Sequence, residues 1–227
     1  MRNIAAFLKS KSINLPWVTI FVVLTFSCKS QPENGSTFRE SGKAALPAAY
    51  DWAEVLEEIG DRKVGVVTNH TGLIGETHLV DSLMASGVKI MRVFAPEHGF
   101  RGDVPDGEHI DDGTDSRTGL EIVSLYGKNK KPDTENLREI ELMIFDIQDV
   151  GARFYTYLST LHYIIQGCSE NGIPLLVMDR PNPNIHYLDG PVLEQEFSSF
   201  VGLHPVPVVY GMTIRSEERR VGKECAT

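Results

Sequence analysis

The apolar positions between Trp52 and Tyr210 fall into two alternating periods, and their order along the chain predicts an α/β fold built on a parallel sheet. Trp52, Val55, Leu56 and Ile59 recur at helical spacing. Asp51 and Glu54 form a capping-box pattern ahead of them, and Gly60 closes the run. Lys63 to Thr68 is a β-branched run that predicts a strand, bounded by Asn69-His70-Thr71-Gly72. Leu79, Val80, Leu83 and Met84 then make one helical face, ended by Gly87, and Val88 to Ala95 is the second strand. The nearly continuous apolar strands of this strand-helix-strand unit suit a sheet covered on both faces.

Leu142 to Ile147 predicts a third strand. Leu158, Leu161, Ile165 and Cys168 mark one face of a helix, Pro174 to Met178 a fourth strand, and Val206 to Tyr210 a fifth. Between the second and third strands, Gly99 to Asp133 is rich in Gly and Asp and poor in apolar periodicity. It reads as a loop longer than a structural connection needs, a kind that usually carries function.

Both ends depart from this pattern. Arg2, Lys9 and Lys11 precede an apolar run from Leu15 to Phe26, too short to span a bilayer but suited to a signal peptide. It closes on Leu24-Thr25-Phe26-Ser27-Cys28, which resembles a bacterial lipobox. Residues 1–28 are therefore expected to be a lipoprotein signal segment with Cys28 as the lipid-bearing residue; ordinary signal cleavage is the alternative. Residues 29–48, rich in Ser, Gly, Pro and charge, read as a flexible tether, and residues 49–214 as the folded domain. From Arg215 to Cys225 the composition breaks again without a turn signal. One codon choice for that stretch reads as a common short-read sequencing adapter in frame. Residues 215–227 are therefore expected to be non-native, the alternative being a genuine charge-mixed tail.

Charge and cysteine use change the picture once the ends are set aside. The leader holds three bases and no acids, and residues 215–227 four bases and three acids. The overall net charge of −9 thus becomes −13 for residues 29–214. A body of that charge does not suit nucleic acid. Cys168 is then the single cysteine of residues 29–214, so no internal disulfide is expected there, and its apolar helical neighbours make it a core residue.

In open parallel sheets, ligands bind beyond the carboxyl ends of the strands. Those positions are polar here: Asn69-His70-Thr71-Gly72, Pro96-Glu97-His98-Gly99-Phe100-Arg101-Gly102, Asp146-Ile147-Gln148-Asp149-Val150-Gly151-Ala152-Arg153 and Asp179-Arg180-Pro181-Asn182-Pro183. Together they predict a polar ligand site, sugar-like or phosphate-like in character. Glu97, between Pro96 and a Gly-permitted turn, is a candidate proton donor, although the position also suits a solvated or ion-paired carboxylate. Of Asp146 and Asp149, Asp149 is expected near the following helix start and Asp146 at the ligand, with Arg153 able to neutralise either. Tyr155 and Tyr157 suit stacking on a sugar or packing in the core.

Glu97, His98, Asp103, Asp146 and Asp149 include metal-ligand types, but their spacing matches no metal motif, and neither a metal nor a cofactor is expected. The remaining histidines, His70, His78, His109, His162, His186 and His204, are scattered and read as structural. There is no Gly-x-Gly-x-x-Gly after the first strand and no Gly-x-Ser-x-Gly elbow.

Several ordered blocks carry a family resemblance: Thr68-Asn69-His70-Thr71-Gly72, Pro96-Glu97-His98-Gly99, Ser124-Leu125-Tyr126-Gly127, Phe145 to Tyr157, and Asp179-Arg180-Pro181-Asn182-Pro183. The stretch from about Val64 to Ile214 resembles the exo-β-N-acetylmuramidases of glycoside hydrolase family 171, long catalogued as a domain of unknown function. The resemblance implies a Rossmann-like catalytic domain, a mostly parallel sheet with helices on both faces, followed by a smaller auxiliary domain. That auxiliary domain is expected to be missing here. The implied activity is release of N-acetylmuramic acid from non-reducing ends of peptidoglycan glycan fragments, in cell-wall turnover or salvage; with the lipobox-like run ending at Cys28, the expectation is an enzyme lipid-anchored at the bacterial cell envelope. Glu97 matches the family's suspected acid, with Asp146 the second carboxylate. Asn69, His98, Arg101, Gln148, Asp149, Arg153, Tyr155, Asp179, Arg180 and Asn182 would position the muramyl saccharide. Asn184-Ile185-His186-Tyr187 stands where the family has a more glycine-rich turn. A non-catalytic sugar-binding lipoprotein and a metal-dependent hydrolase are the competing readings.

Overall fold

A computed structural model describes residues 52–102, 112–127 and 129–216. The expected signal segment with Cys28, the tether, Asp51, Asp103, His109 and residues 217–227 lie outside the described residues. Helix α1 (Trp52–Ile59) leads into β1 (Lys63–Thr68). A short hairpin of β2 (Leu73–Ile74) and β3 (Thr77–His78) precedes α2 (Leu79–Ala85) and β4 (Lys89–Ala95). Then come β5 (Gly113–Thr114), β6 (Glu121–Ser124), β7 (Leu142–Asp146), α3 (Tyr157–Asn171) and β8 (Leu175–Val177).

Six strands form one sheet in the order β5-β6-β4-β1-β7-β8, parallel except for the antiparallel edge strand β5. Alternate side chains of each strand point to opposite faces, so the sheet divides the apolar residues into two cores. On one face Val64, Val66, Val93, Ala95, Leu142 and Ile144 pack with Val55 and Ile59 of α1 and Leu79, Val80 and Leu83 of α2. On the other, Val67, Phe94, Val123, Met143 and Phe145 pack with Leu158, Leu161, Ile164 and Cys168 of α3. The helices thus lie on both faces, as the apolar pattern requires. Within α3, Ile164 is fully buried and Ile165 only partly; Met84, expected on the buried face of α2, is 40% exposed.

Two elements differ from the sequence reading. The stretch from Gly99 to Asp133 is not one loop: Glu121–Ser124 forms β6 beside β4, with Gly113–Thr114 paired to its outer side. A run this short, set among Gly and Asp, has too little period to stand out. Conversely, Val206 to Tyr210 is no strand of the sheet. Pro205 and Pro207 lack N–H donors and prevent a continuous ladder, leaving Val209 in isolated bridges to Ala152 and Asp189. The segment runs instead along the start of the β7-α3 connection, where Tyr210 N–H donates to the Gly151 carbonyl at 2.8 Å and Arg153 N–H to the Val208 carbonyl at 2.9 Å.

Candidate active site at the carboxyl edge of the sheet

Beyond the carboxyl end of β1, Asn69 is fully buried and fixed from several sides. Its Oδ1 accepts from the backbone N–H of Thr71 at 2.9 Å and from the Thr71 hydroxyl, and its Nδ2 donates to the Tyr157 phenol at 3.3 Å. The Asn69 carbonyl is met at 2.9 Å by Nε2 of His78, whose Nδ1 accepts from Val80 N–H at 3.2 Å. That pairing places the imidazole proton on Nε2 and makes His78 the N-cap of α2. Burial holds this imidazole below its ordinary pKa, which favours the same neutral form. His78 is thus structural, as expected.

Glu97 follows β4 in a turn closed by the Gly99 N–H donating to the Pro96 carbonyl at 3.1 Å. His98 holds φ of +72° and Gly99 φ of +75°. The left-handed region is unfavourable for a residue with a Cβ, so the His98 backbone is strained where the candidate acid is presented. Glu97 and His98 are both part-exposed, whereas Pro96 and Gly99 are buried. Beside Glu97 stands Tyr126, just after β6. The negative charge of that carboxylate, together with partial burial, holds the Tyr126 phenol above its ordinary pKa. Tyr157 is raised as well, mainly by burial and further by Tyr155, Glu97 and Asp149. Its ring is buried, while Tyr155, at 6.1 Å between ring centroids, is 53% exposed. Of the two tyrosines, Tyr155 therefore has the open face that stacking on a sugar needs, and Tyr157 packs in the core.

The other carboxylates are engaged. Asp146, at the end of β7, has no solvent exposure, and its oxygens accept from Arg180 Nε at 2.6 Å and Nη2 at 2.9 Å. Burial pushes this carboxyl up and Arg180 pulls it down; the bidentate contact keeps the pair charged. Arg180 also donates to the Leu73 carbonyl at 2.9 Å, tying the exit of β8 to the hairpin after β1. Asp149 is buried, with Oδ2 accepting from the Tyr210 phenol at 2.7 Å, and burial raises its pKa. It does not cap α3. That helix starts from Thr156 in a left-handed conformation, with no side-chain cap.

Arg153 neutralises neither aspartate: its Nη1 donates to the carbonyls of Val206 at 2.7 Å and Pro191 at 3.3 Å. A guanidinium has only N–H donors, and here the backbone of the 191–206 segment receives them. Arg101 is held between Asp81 and Asp115, at 3.3 and 2.8 Å, and lies 4.5 Å above the Phe100 ring. Its guanidinium keeps the Asp115 carboxyl well below the usual carboxylate range.

The remaining predicted residues join the loops to one another. Gln148 ties neighbouring loops together: its N–H donates to the Thr71 hydroxyl at 3.0 Å and its Nε2 to the carbonyls of Asp149 and Pro181. Asn182 donates to the carbonyls of Tyr210 and Met212, at 2.8 and 2.9 Å. Asp179 accepts from the Thr213 hydroxyl at 2.8 Å and from the Arg215 N–H at 3.2 Å. Gly151, at φ of +68°, sits where a Cβ would collide with the Asn182 side chain and the Tyr210 carbonyl. Among the described residues, no three His, Cys, Asp or Glu form a group placed to hold a metal ion.

The geometry therefore brings Glu97, Asn69, Tyr155 and the unpredicted Tyr126 to one edge, with Tyr157 behind them. Asp146, Arg180, Arg101, Arg153, Asp179, Asn182 and Gln148 engage other protein groups around it. Tyr126 lay within a block that carries the resemblance. Its place beside Glu97 depended on a strand the apolar pattern did not reveal.

Residues 64–224 match the family described as exo-beta-N-acetylmuramidase NamZ, N-terminal. The chain belongs to that family. It is 45% identical over 163 residues to the peptidoglycan beta-N-acetylmuramidase NamZ of Bacillus subtilis strain 168, an alignment covering 70% of this chain and 39% of that relative. Two crystal structures of DUF1343 family proteins from Bacteroides fragilis NCTC 9343 superpose with a TM-score of 0.67 at 37% identity. They cover 77% and 76% of this chain and 45% of each of theirs. The chain thus spans less than half the length of these relatives. Its sheet, with Glu97 at the carboxyl edge, is the NamZ N-terminal fold.

Proposed function

We propose that this chain serves an exo-acting glycosidase that releases N-acetylmuramic acid from the non-reducing ends of peptidoglycan fragments, with Glu97 as the general acid. The observation that carries the reading is Glu97 itself. Among the carboxylates at the carboxyl edge, Asp146 and Asp179 accept hydrogen bonds from cationic or backbone partners, and Asp149 is buried against Tyr210. Glu97 instead stands part-exposed on a strained turn, with two tyrosines at its side. A proton donor to a glycosidic oxygen needs that access. The name of the Bacillus subtilis relative supports the substrate class.

Asp146 fits the second carboxylate less simply, because acting as a base or nucleophile would require Arg180 to release it. Participation by the substrate's own acetamido group would need no such release. Export through residues 1–28 and acylation at Cys28, anchoring the protein at the periplasmic or outer-membrane face of the envelope, belong to the same proposal. Loss of membrane association in Cys28→Ser would support the anchor, and unchanged fractionation would refute it.

The test of activity is release of N-acetylmuramic acid from a muramyl-glucosamine disaccharide by the wild type and Glu97→Gln, each with and without chelator. Turnover in the wild type that falls by about 10²–10⁴-fold in Glu97→Gln is expected for loss of a general acid. Undiminished turnover in the variant would overturn the assignment of Glu97. Binding without turnover in the wild type would favour a sugar-binding protein, and loss with chelator a metal-dependent hydrolase.

A further inference from the structure

A hydrogen-bond chain of fixed direction crosses the exit of β1. The Gln148 N–H donates to the Thr71 hydroxyl at 3.0 Å, and that hydroxyl donates its own proton to Asn69 Oδ1. The Thr71 backbone N–H reaches the same Oδ1 at 2.9 Å, which settles the orientation of the amide and leaves Nδ2 to donate to the Tyr157 oxygen at 3.3 Å. Every link donates the same way, so Tyr157 cannot turn its proton back onto Asn69. Among the described residues the phenol O–H meets no acceptor. Tyr157 is 6% exposed, and a donor so buried is rarely left unmatched.

The backbone is strained at the same point. Thr156, the N-cap of the helix that Tyr157 opens, holds φ of +61°, where a β-branched residue is a rare outlier. Its buried hydroxyl has no partner among the described residues. Strain of this kind persists only where the surrounding fold enforces it, and it gathers at ligand sites.

Sheet order puts the unmatched donor in the middle of the carboxyl edge. β1 lies between β4 and β7, with Val67 paired to Phe94 and Thr68 to Asp146. Asn69 and the phenol it holds therefore lie between the exit that carries Glu97 and the exit that carries Asp149. Arg101, Arg153 and Arg180 are each engaged by protein groups. A neutral donor between two carboxylate-bearing exits suits an uncharged acceptor oxygen and disfavours an anionic one.

We infer that Tyr157 donates a hydrogen bond to the acetamido carbonyl of the sugar, and that Asn69 is the positioning residue that turns the phenol proton outward. The inference deepens the muramyl-saccharide reading above and rests on it for the identity of the sugar. N-acetylmuramic acid offers hydroxyls, a lactyl carboxylate and one amide carbonyl, and the carbonyl is the best neutral acceptor of the three. Burial holds the phenol above its ordinary pKa, so it keeps the proton it donates at neutral pH.

The test reads binding and needs no turnover. Calorimetry would compare N-acetylmuramic acid with the same lactyl sugar carrying a hydroxyl in place of the acetamido group. The wild type should prefer the acetamido sugar. Tyr157→Phe, which keeps the ring in the core, should lose about tenfold in affinity for that sugar and little for its hydroxyl counterpart. Asn69→Asp has no Nδ2 donor and takes the phenol proton for itself, so it should show the same selective loss. Adding Tyr157→Phe to Asn69→Asp should then weaken binding no further.

An unchanged preference in Tyr157→Phe, or an equal loss for both sugars, would overturn the inference. So would Asn69→Asp that binds as the wild type does. Failure of the wild type to bind either sugar would remove the muramyl-saccharide reading and this inference with it. Undiminished turnover in Glu97→Gln would strike the general acid without touching these affinities, so the two readings fail separately.

Discussion

Arg180 closes Nε and Nη2 on the two oxygens of Asp146, at 2.6 and 2.9 Å, although the residues are 34 positions apart in the chain. Both are almost without solvent exposure. The pair joins the ends of the adjacent strands β7 and β8.

A buried ion pair that loses one partner leaves an uncompensated charge, and this outweighs whatever the pair contributes when intact. Arg180→Met should therefore lower stability by about 3–5 kcal/mol in urea unfolding. The double variant Arg180→Met with Asp146→Asn should recover part of that loss. Equal destabilisation in the single and double variants would show that packing around the guanidinium, and not the stranded carboxylate, is what matters.

Asp149 gives a pH-dependent prediction of a definite sign. Burial raises its folded-state pKa above the ordinary carboxylate value, so the folded protein binds a proton that the unfolded chain releases. That contribution is fully present below about pH 4, the unfolded Asp value, and is lost as pH rises through the raised folded value. Asp149→Asn cannot ionise. Urea unfolding from about pH 4 upward should show the wild type losing stability relative to the variant, and parallel curves would contradict the raised value.

The turn at His98 can be tested by backbone preference alone. With φ of +72°, a β-branched residue is disfavoured by about 1–2 kcal/mol, whereas glycine adopts the conformation freely. His98→Val should lower the unfolding midpoint accordingly, and His98→Gly should not. If His98→Gly proves the more damaging, the imidazole contributes more through its contacts than the backbone costs in strain.

Parts of this site were legible in the chain. The polar runs at Asn69, Glu97, Asp146 and Asp179 follow strands whose apolar character is unmistakable, and a parallel sheet places all its strand exits on one edge. The roles within that edge were not legible. Arg101 and Arg153 read as ligand contacts, yet one is held by Asp81 and Asp115 and the other by the carbonyls of Pro191 and Val206. Such partners lie far off in sequence, and the charge of a side chain does not say which neighbour the fold will bring to it.

By itself, the sequence determined the α/β class, the two-faced burial of the strands and the edge at which Glu97 emerges, because periodicity and strand ends are local properties of the chain. Only the tertiary structure decided that Glu121–Ser124 joins the sheet beside β4 while Val206–Tyr210 stays out of it. A short strand is stabilised by the neighbour it pairs with, and a proline-interrupted one cannot complete that pairing. From the placement of β6 follows the position of Tyr126 on the strand exit next to that of Glu97, which no spacing in the sequence could specify.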